Sequence, residues 1–249
     1  MKTAATFLLS VTMLSCLASP LRAADDIALI TGAELTAWRK PVGKWLIVGA
    51  VTLASDDAKR LAFVTPGTGI LLNGPEGRTS NLVSSEEFGD AEIHVEWLVP
   101  KGSNSGVYVM GRYEVQVFDS FGNANPGASD AGGIYQRWDP KRGPGKEGYE
   151  GFAPKVKNAA KAPGEWQSFD ITFRAPRFDT AGAKTTNALF VKVVHNGQTV
   201  HENVEVSGPT RSSLWEYEPE KPTGPLMLQG DHGPVAYRNI TVKKLTAGQ

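Results

Sequence analysis

Cysteine is nearly absent from the chain: Cys16 is the only one in 249 residues, so no intramolecular disulfide can staple the fold. Charge of one sign is not in surplus either, with 26 basic residues against 26 acidic ones. A chain so balanced presents no electrostatic footprint for nucleic acid or for an anionic membrane, which sets both aside as partners. After residue 30 no stretch keeps apolar residues at helical spacing for three turns, and this excludes helical bundles and alternating strand-helix folds. Two catalytic signatures are also missing, the GxSxG elbow and HExxH. Gly143-Pro-Gly-Lys-Glu-Gly148 matches GxGxxG, but it follows no expected strand and opens no helix, so it reads as a loop and not as a phosphate cradle.

What is present begins at the N-terminus. Lys2 supplies a basic start, Ala4 to Leu17 form an apolar run, and Ser19-Pro-Leu-Arg-Ala23 has the small residues of a cleavage region. The run is too short to span a bilayer. Residues 1–23 are therefore expected to be a signal peptide, and 24–249 a mature domain exported to a periplasm or the extracellular medium. A lipoprotein anchored through Cys16 is the lesser alternative, because Met13-Leu-Ser-Cys16 is a weak version of that cleavage site. Cleavage removes Lys2 and Arg22, leaving 24 basic against 26 acidic residues and no membrane-spanning segment. A mature chain of this length fits one large β domain, since sandwiches and barrels often reach about 200–250 residues undivided.

Short alternating or β-branched runs bounded by Gly, Pro, Asn and Asp recur along the chain and define an all-β protein. Expected strands are Lys44–Val51, Gly69–Leu72, Glu92–Val99, Gly106–Met110, Tyr113–Phe118, Ser168–Arg174, Leu189–His195, Thr199–Val206, Pro225–Leu228 and Val235–Lys243. Asn196-Gly197 suits a two-residue hairpin turn that needs positive φ at both positions. Two long irregular segments, Ser120–Pro163 and Gly208–Gly224, carry Tyr135, Trp138, Tyr149, Phe152, Trp215 and Tyr217. Disordered tracts are poor in aromatics, so these loops are expected to pack and to rim a cleft.

The most informative stretch runs from Asn104 to Asp119. Its odd positions, Val107, Val109, Tyr113, Val115 and Val117, read as a core face. Its even positions place Arg112, Glu114 and Gln116 in a row flanked by Tyr108 and Phe118, which is the mixture of planar, bidentate and aromatic groups that suits a sugar. A solvated face with an ion pair would be the plainer explanation. The preceding strand repeats the pattern, with Ile93, Val95, Trp97 and Val99 inward and Glu92, His94 and Glu96 outward; three residues at period two are a weak metal signal. Near the C-terminus, Gln229, Asp231 and His232 cluster at the end of a strand. Histidine is the usual acid or base near neutral pH, although Asp-His-Gly also suits a turn. His195 and His201 flank the hairpin and are expected to be exposed.

With these residues in view, the sequence resembles the 3-keto-disaccharide hydrolase family. The matching stretches are Asn81-Leu-Val, Glu87-Phe-Gly-Asp-Ala-Glu92, Asn104-Ser-Gly-Val-Tyr108, Arg112-Tyr-Glu-Val-Gln-Val-Phe-Asp-Ser120, Gly132-Gly-Ile-Tyr135, Pro163-Gly-Glu-Trp166, His195-Asn-Gly197, Gly224 to Pro234 and Tyr237-Arg-Asn-Ile240. Ala131 departs from the pattern, which often has Cys there, and leaves the candidate site groups untouched.

The resemblance implies a concanavalin A-like jelly-roll sandwich of two antiparallel sheets, with long loops over a concave face. It also implies cleavage of glycosides already oxidised at C3, by hydrolysis or by C2 proton removal and elimination at C1. Glu114 and His232 are then the candidate base and acid in either order, with Arg112 holding the enolate oxygen. Asn104, Tyr108, Gln116 and Gln229 would place the sugar. Glu96, Glu114 and His232 could instead gather as ligands of a divalent metal ion that polarises the ketone. The implied partners are a small glycoside and an upstream dehydrogenase that oxidises it. A non-catalytic, lectin-like carbohydrate-binding module is the alternative, since one fold can host both.

Overall fold

A computed structural model describes residues 26–157 and 159–246; the expected leader with Cys16 lies outside the described residues. Two antiparallel sheets enclose one core. Their strands, in chain order, are β1 (Leu46–Val48), β2 (Ile70–Leu72), β3 (Leu82–Phe88), β4 (Ala91–Leu98), β5 (Asn104–Val109), β6 (Tyr113–Phe118), β7 (Gln167–Arg174), β8 (Ala188–His195), β9 (Gln198–Val206), β10 (Gly224–Leu228) and β11 (Ala236–Lys244). The eight-stranded sheet runs β9-β8-β7-β4-β11-β2-β1, with the short strand Ile27–Ala28 added on β11. The four-stranded sheet runs β3-β10-β5-β6. This is the expected all-β jelly-roll sandwich. Among the described residues the single helical element is one 3-10 turn, Pro140–Arg142.

Alternation explains the burial. Ile93, Val95 and Trp97 of β4 meet Val107, Val109, Tyr113, Val115 and Val117 of β5 and β6 in one hydrophobic cluster between the sheets. Trp97 is fully buried, with its ring centroid 5.3 Å from Phe169 and 5.7 Å from His195. Two expectations need correction here. His195 and His201 are buried, not exposed. His195 shares the core side of β8 with Phe190 and Val193, and its Nε2 donates to Gln167 Oε1 at 2.9 Å, while His201 Nε2 donates to the Gly132 carbonyl at 2.8 Å. Desolvation pushes both imidazoles down to about 4, so they are neutral packing groups near neutral pH. The strand β3 was not foreseen, because Ser84, Ser85, Glu86 and Glu87 interrupt its apolar pattern at a sheet edge. The expected strand Lys44–Val51 divides into β1 and Ala50–Leu53, the latter pairing with Leu61–Val64.

The stretch from Asn104 to Phe118 is a hairpin and not one continuous strand. Arg112 N donates to Val109 O at 3.0 Å, closing a turn whose central residues Met110 and Gly111 have φ of 55° and 64°. Positive φ at both positions is the tight-turn geometry that matches the twist of the flanking strands. A Cβ on Gly111 would also lie 2.7 Å from Leu214 Cδ1. Tyr108 pairs with Glu114 and Gly106 with Gln116, so the even residues of both arms remain on one face, now as cross-strand neighbours. The second hairpin has the expected Asn196-Gly197 turn, with φ of 50° and 77°.

The two long loops close the free edge of β6. Gln116 N donates to Gly133 O at 2.8 Å and Tyr135 N to Glu114 O at 3.0 Å, so residues 132–135 run beside the strand. From the other loop, Thr210 N donates to Arg112 O at 2.8 Å, and Thr210 Oγ1 accepts from Glu114 N at 3.1 Å. An edge covered in this way cannot pair with another chain, and its outer face acquires walls.

Because Trp97 is fully buried in the main apolar cluster, Trp97→Ala is expected to lower stability by about 3–5 kcal/mol. Urea unfolding should show a reduced midpoint at an unchanged slope; a midpoint within error of the parent would refute this packing.

Candidate active site

The outer face of the four-stranded sheet holds buried polar side chains in two cross-strand rows. Met227 of β10, Tyr108 of β5 and Glu114 of β6 form the first. The second contains Gly106 and Gln116, with Gln229 N donating to Gly106 O at 3.0 Å. Loop residues complete a cavity of about 250 Å³ lined by Asn104, Tyr108, Glu114, Gln116, Tyr135, Arg211, Ser212, Gln229 and His232. The amide oxygens of Asn104 and Gln116 are buried there without a hydrogen-bond partner. Buried acceptors left empty by the protein call for donors from a ligand, and hydroxyl groups supply them.

Glu114 sits in this cavity because Gly106 lets it. A Cβ on Gly106 would lie 2.1 Å from Glu114 Oε1, so the carboxyl rests directly on the glycine backbone. Desolvation is the main effect on this group and pushes its pKa up to about 8; the Tyr108 hydroxyl opposes the rise and the nearby charge of Asp231 adds to it. The carboxyl is therefore protonated at neutral pH and can donate. Tyr108 Oη itself donates to Arg211 O at 3.2 Å, which fixes the ring under the loop.

His232 lies in the turn after β10 and is half-exposed, with its Nδ1 2.5 Å from Asp231 Oδ1. A carboxylate can only accept, so Nδ1 carries a proton, and in the neutral ring the lone pair is on Nε2. One cavity thus joins a neutral carboxylic acid to an oriented imidazole base. Of the nine lining residues, Glu114 is the one carboxylic acid.

Six of the expected site residues, Asn104, Tyr108, Glu114, Gln116, Gln229 and His232, come together in this cavity. Arg112 does not. Its guanidinium is fully buried and donates to the carbonyls of Trp215 at 2.9 Å, Glu218 at 3.1 Å and Pro219 at 2.7 Å, which pins the second loop. The cation that lines the cavity is Arg211. Nor do Glu96, Glu114 and His232 form a ligand set. Glu96 points outward from β4, on the far side of the core, and is held by Arg238 Nε at 2.6 Å and Asn239 Nδ2 at 2.7 Å. Among the described residues no group of three or more His, Cys, Asp or Glu gathers around a metal-sized point. Arg211 and Ser212 were not singled out by sequence, since they lie in a loop without periodicity, whereas Tyr135 was expected as one of the aromatic residues of a loop that rims a cleft. A larger hollow of about 700 Å³ lies on the outer face of β4 and β7, but it is lined by Glu92, His94, Asp170, Lys192 and Lys243 with no aromatic residue.

A jelly roll carrying an acid, a base and unsatisfied amides in a small polar cavity has the make-up of a carbohydrate-active protein of the glycoside hydrolase and lyase kind. The family comparison agrees: residues 25–243 match the 3-keto-alpha-glucoside-1,2-lyase-like domain, and the chain belongs to that family. Among solved structures, it is similar to a protein of Parabacteroides distasonis ATCC 8503 provisionally named a glycosyl hydrolase. The two are 27% identical, with 89% of this chain and 84% of that chain covered and a TM-score of 0.63. A second protein of that organism with the same provisional name is 20% identical over 71% of this chain and 87% of its own, with a TM-score of 0.47. Alginate lyase vAL-1 from Chlorella virus is 13% identical over 90% and 92% of the two chains, with a TM-score of 0.36. No curated protein matches the sequence.

Two outcomes follow from the burial of Glu114. Its folded pKa of about 8 exceeds the unfolded value, which is about 4.3. Between these values the folded state holds one proton more than the unfolded state, so the parent loses stability as pH rises through that window. Glu114→Gln should abolish this contribution, and its denaturation midpoint should gain on the parent from pH 5 to pH 8.5; parallel curves would refute the burial. Gly106→Ala should displace the carboxyl and weaken ligand binding or turnover while leaving the far-ultraviolet circular dichroism unchanged.

Proposed function

We infer that the protein cleaves glycosides whose sugar ring already carries a ketone at C3. The observation that carries this reading is the pairing, in one cavity, of a carboxyl kept neutral by burial with a single oriented imidazole. Ordinary glycosidases work with two carboxyl groups flanking the bond, whereas this cavity is lined by one. A ketone removes the need for the second, because it acidifies the hydrogen on the neighbouring carbon.

In this reading His232 Nε2 takes the proton from C2, and the electron pair moves into the C2–C3 bond to give an enolate. The enolate collapses, re-forming the C3 ketone and a C1–C2 double bond as the C1–oxygen bond breaks. Glu114 donates its proton to the departing oxygen. Arg211, and not Arg112, is the cation available to the enolate oxygen. The unpaired amide oxygens of Asn104 and Gln116 accept from ring hydroxyls, with Tyr108 and Gln229 bounding the ring. Proton transfer from His232 to Glu114 through solvent resets the pair, and water can add to the unsaturated product. The substrate must come from an oxidoreductase that removes hydride from a C3 hydroxyl. The leader sequence supports placing this chemistry outside the cytoplasm.

The test is to incubate the protein with a 3-keto-glucoside and, separately, with the unoxidised parent glucoside, and to follow release of the leaving group. Release is expected from the keto compound alone. Binding of either sugar with release from neither would instead leave a carbohydrate-binding module. Glu114→Gln and His232→Ala should each lower kcat by about 10²–10⁴-fold. The parent rate should fall as pH rises through about 8, where Glu114 loses its proton.

A further inference from the structure

The geometry points to a second binding site, for a ring-shaped, uncharged leaving group, in the cavity between residues 137–141 and 216–220. This rests on the reading that the protein cleaves 3-keto-glycosides. The cavity has a volume of about 370 Å³ and is walled by Trp138, Pro140, Pro209, Tyr217 and Pro219. A contact between two side chains, Arg211 and Trp138, links its wall to that of the catalytic pocket. Arg211 lines the catalytic pocket, and its guanidinium carbon stands 4.5 Å above the Trp138 ring that walls the second cavity.

The sizes argue for a division of labour. A pocket of about 250 Å³ falls below the roughly 300–1,000 Å³ of sites that enclose a whole drug-sized ligand. It accommodates the reacting ring and leaves the other half of a glycoside outside. The second cavity supplies what that half needs, since flat aromatic and proline faces suit the apolar faces of a sugar or aryl ring. Its ionic groups are largely committed within the protein. Glu220 accepts from Tyr113 Oη and from Lys184, Glu216 accepts from Ser212 N at 2.7 Å, and Arg137 donates to Ser207 Oγ at 2.5 Å. An ionic leaving group would therefore find few free partners. Tyr217 is the most exposed of the large hydrophobic residues among those described, at 76%, and it lines the cavity, so its ring is open to stack on a ligand.

Both cavities also share their scaffold. Trp138 N donates to Pro209 O at 3.0 Å, and Arg137 bridges to Thr210, which holds the backbone of Glu114. A ring seated against Trp138 and Tyr217 is thus positioned by the same loop that walls the reacting ring.

The test compares three 3-keto-glucosides, with a second glucose, a 4-nitrophenyl group and methanol as leaving groups, on the parent, Tyr217→Ala and Tyr217→Phe. The exposed position makes Tyr217→Ala safe for folding. It is expected to lower kcat/KM by about three- to tenfold, the loss of one aromatic contact, for the ring-bearing compounds and to leave the methyl compound unchanged. Tyr217→Phe should restore the lost activity. A loss on the glucosyl compound alone identifies a sugar subsite, and a loss on both ring-bearing compounds a subsite for either ring. Equal effects on all three compounds, or none on any, overturn the subsite while the cleavage reading stands. Failure of the parent to release any of the three leaving groups overturns both.

Discussion

A carboxyl group without an ion-pair partner is buried on the outer face of a β-sheet, and the surrounding architecture follows from keeping it there. Water would ionise Glu114 at neutral pH; the desolvation that prevents this requires a roof. The roof is made by the two long loops, each bonded to the backbone of β6 on either side of Glu114 itself, through Tyr135 N and Thr210 Oγ1. The floor is Gly106, the one residue type whose missing side chain leaves room for the carboxyl. Arg112 serves the same end from a distance, since its three bonds to loop carbonyls hold residues 215–219 in place.

This arrangement separates the two sheets by task. The eight-stranded sheet and the inner face of the four-stranded sheet supply a core of alternating apolar residues around Trp97, Phe169 and Phe173. The outer face of the smaller sheet holds polar groups, and loop carbonyls take up the Tyr108 hydroxyl and the Arg112 terminal nitrogens. The amide oxygens of Asn104 and Gln116, which line the cavity, have no partner. Such groups cost stability unless something binds them, and sites that do chemistry are where that cost is tolerated.

The carboxyl and the imidazole of the cavity sit in contrasting environments. Glu114 is enclosed and neutral, while His232 stands near solvent with Asp231 fixing its tautomer. Burial raises the proton affinity of the carboxyl, and a hydrogen bond orients the imidazole. The same loops wall a second cavity beyond Arg211 and Trp138.

By itself, the sequence determined the alternation, and with it much of the answer. A period of two survives folding, so Val107 to Val117 could be assigned to the core and Tyr108, Glu114 and Gln116 to a common face before any coordinates. The turn at Met110-Gly111 preserved that parity. Asn104, Gln229 and His232 were legible as polar residues at strand ends in a pattern matching a known family. Tertiary structure alone decided which ends meet, because contacts between β5, β6 and the turn after β10 span more than 100 positions of chain and carry no local signal. It also decided that Arg112 is a tether and Arg211 the cavity's cation, since loop paths lack periodicity. Burial of His195 was equally hidden: a histidine next to an Asn-Gly turn looks solvated until Trp97 and Phe169 are packed against it. Protonation of Glu114 depends on solvent exclusion, a property of the assembled loops that no single segment possesses.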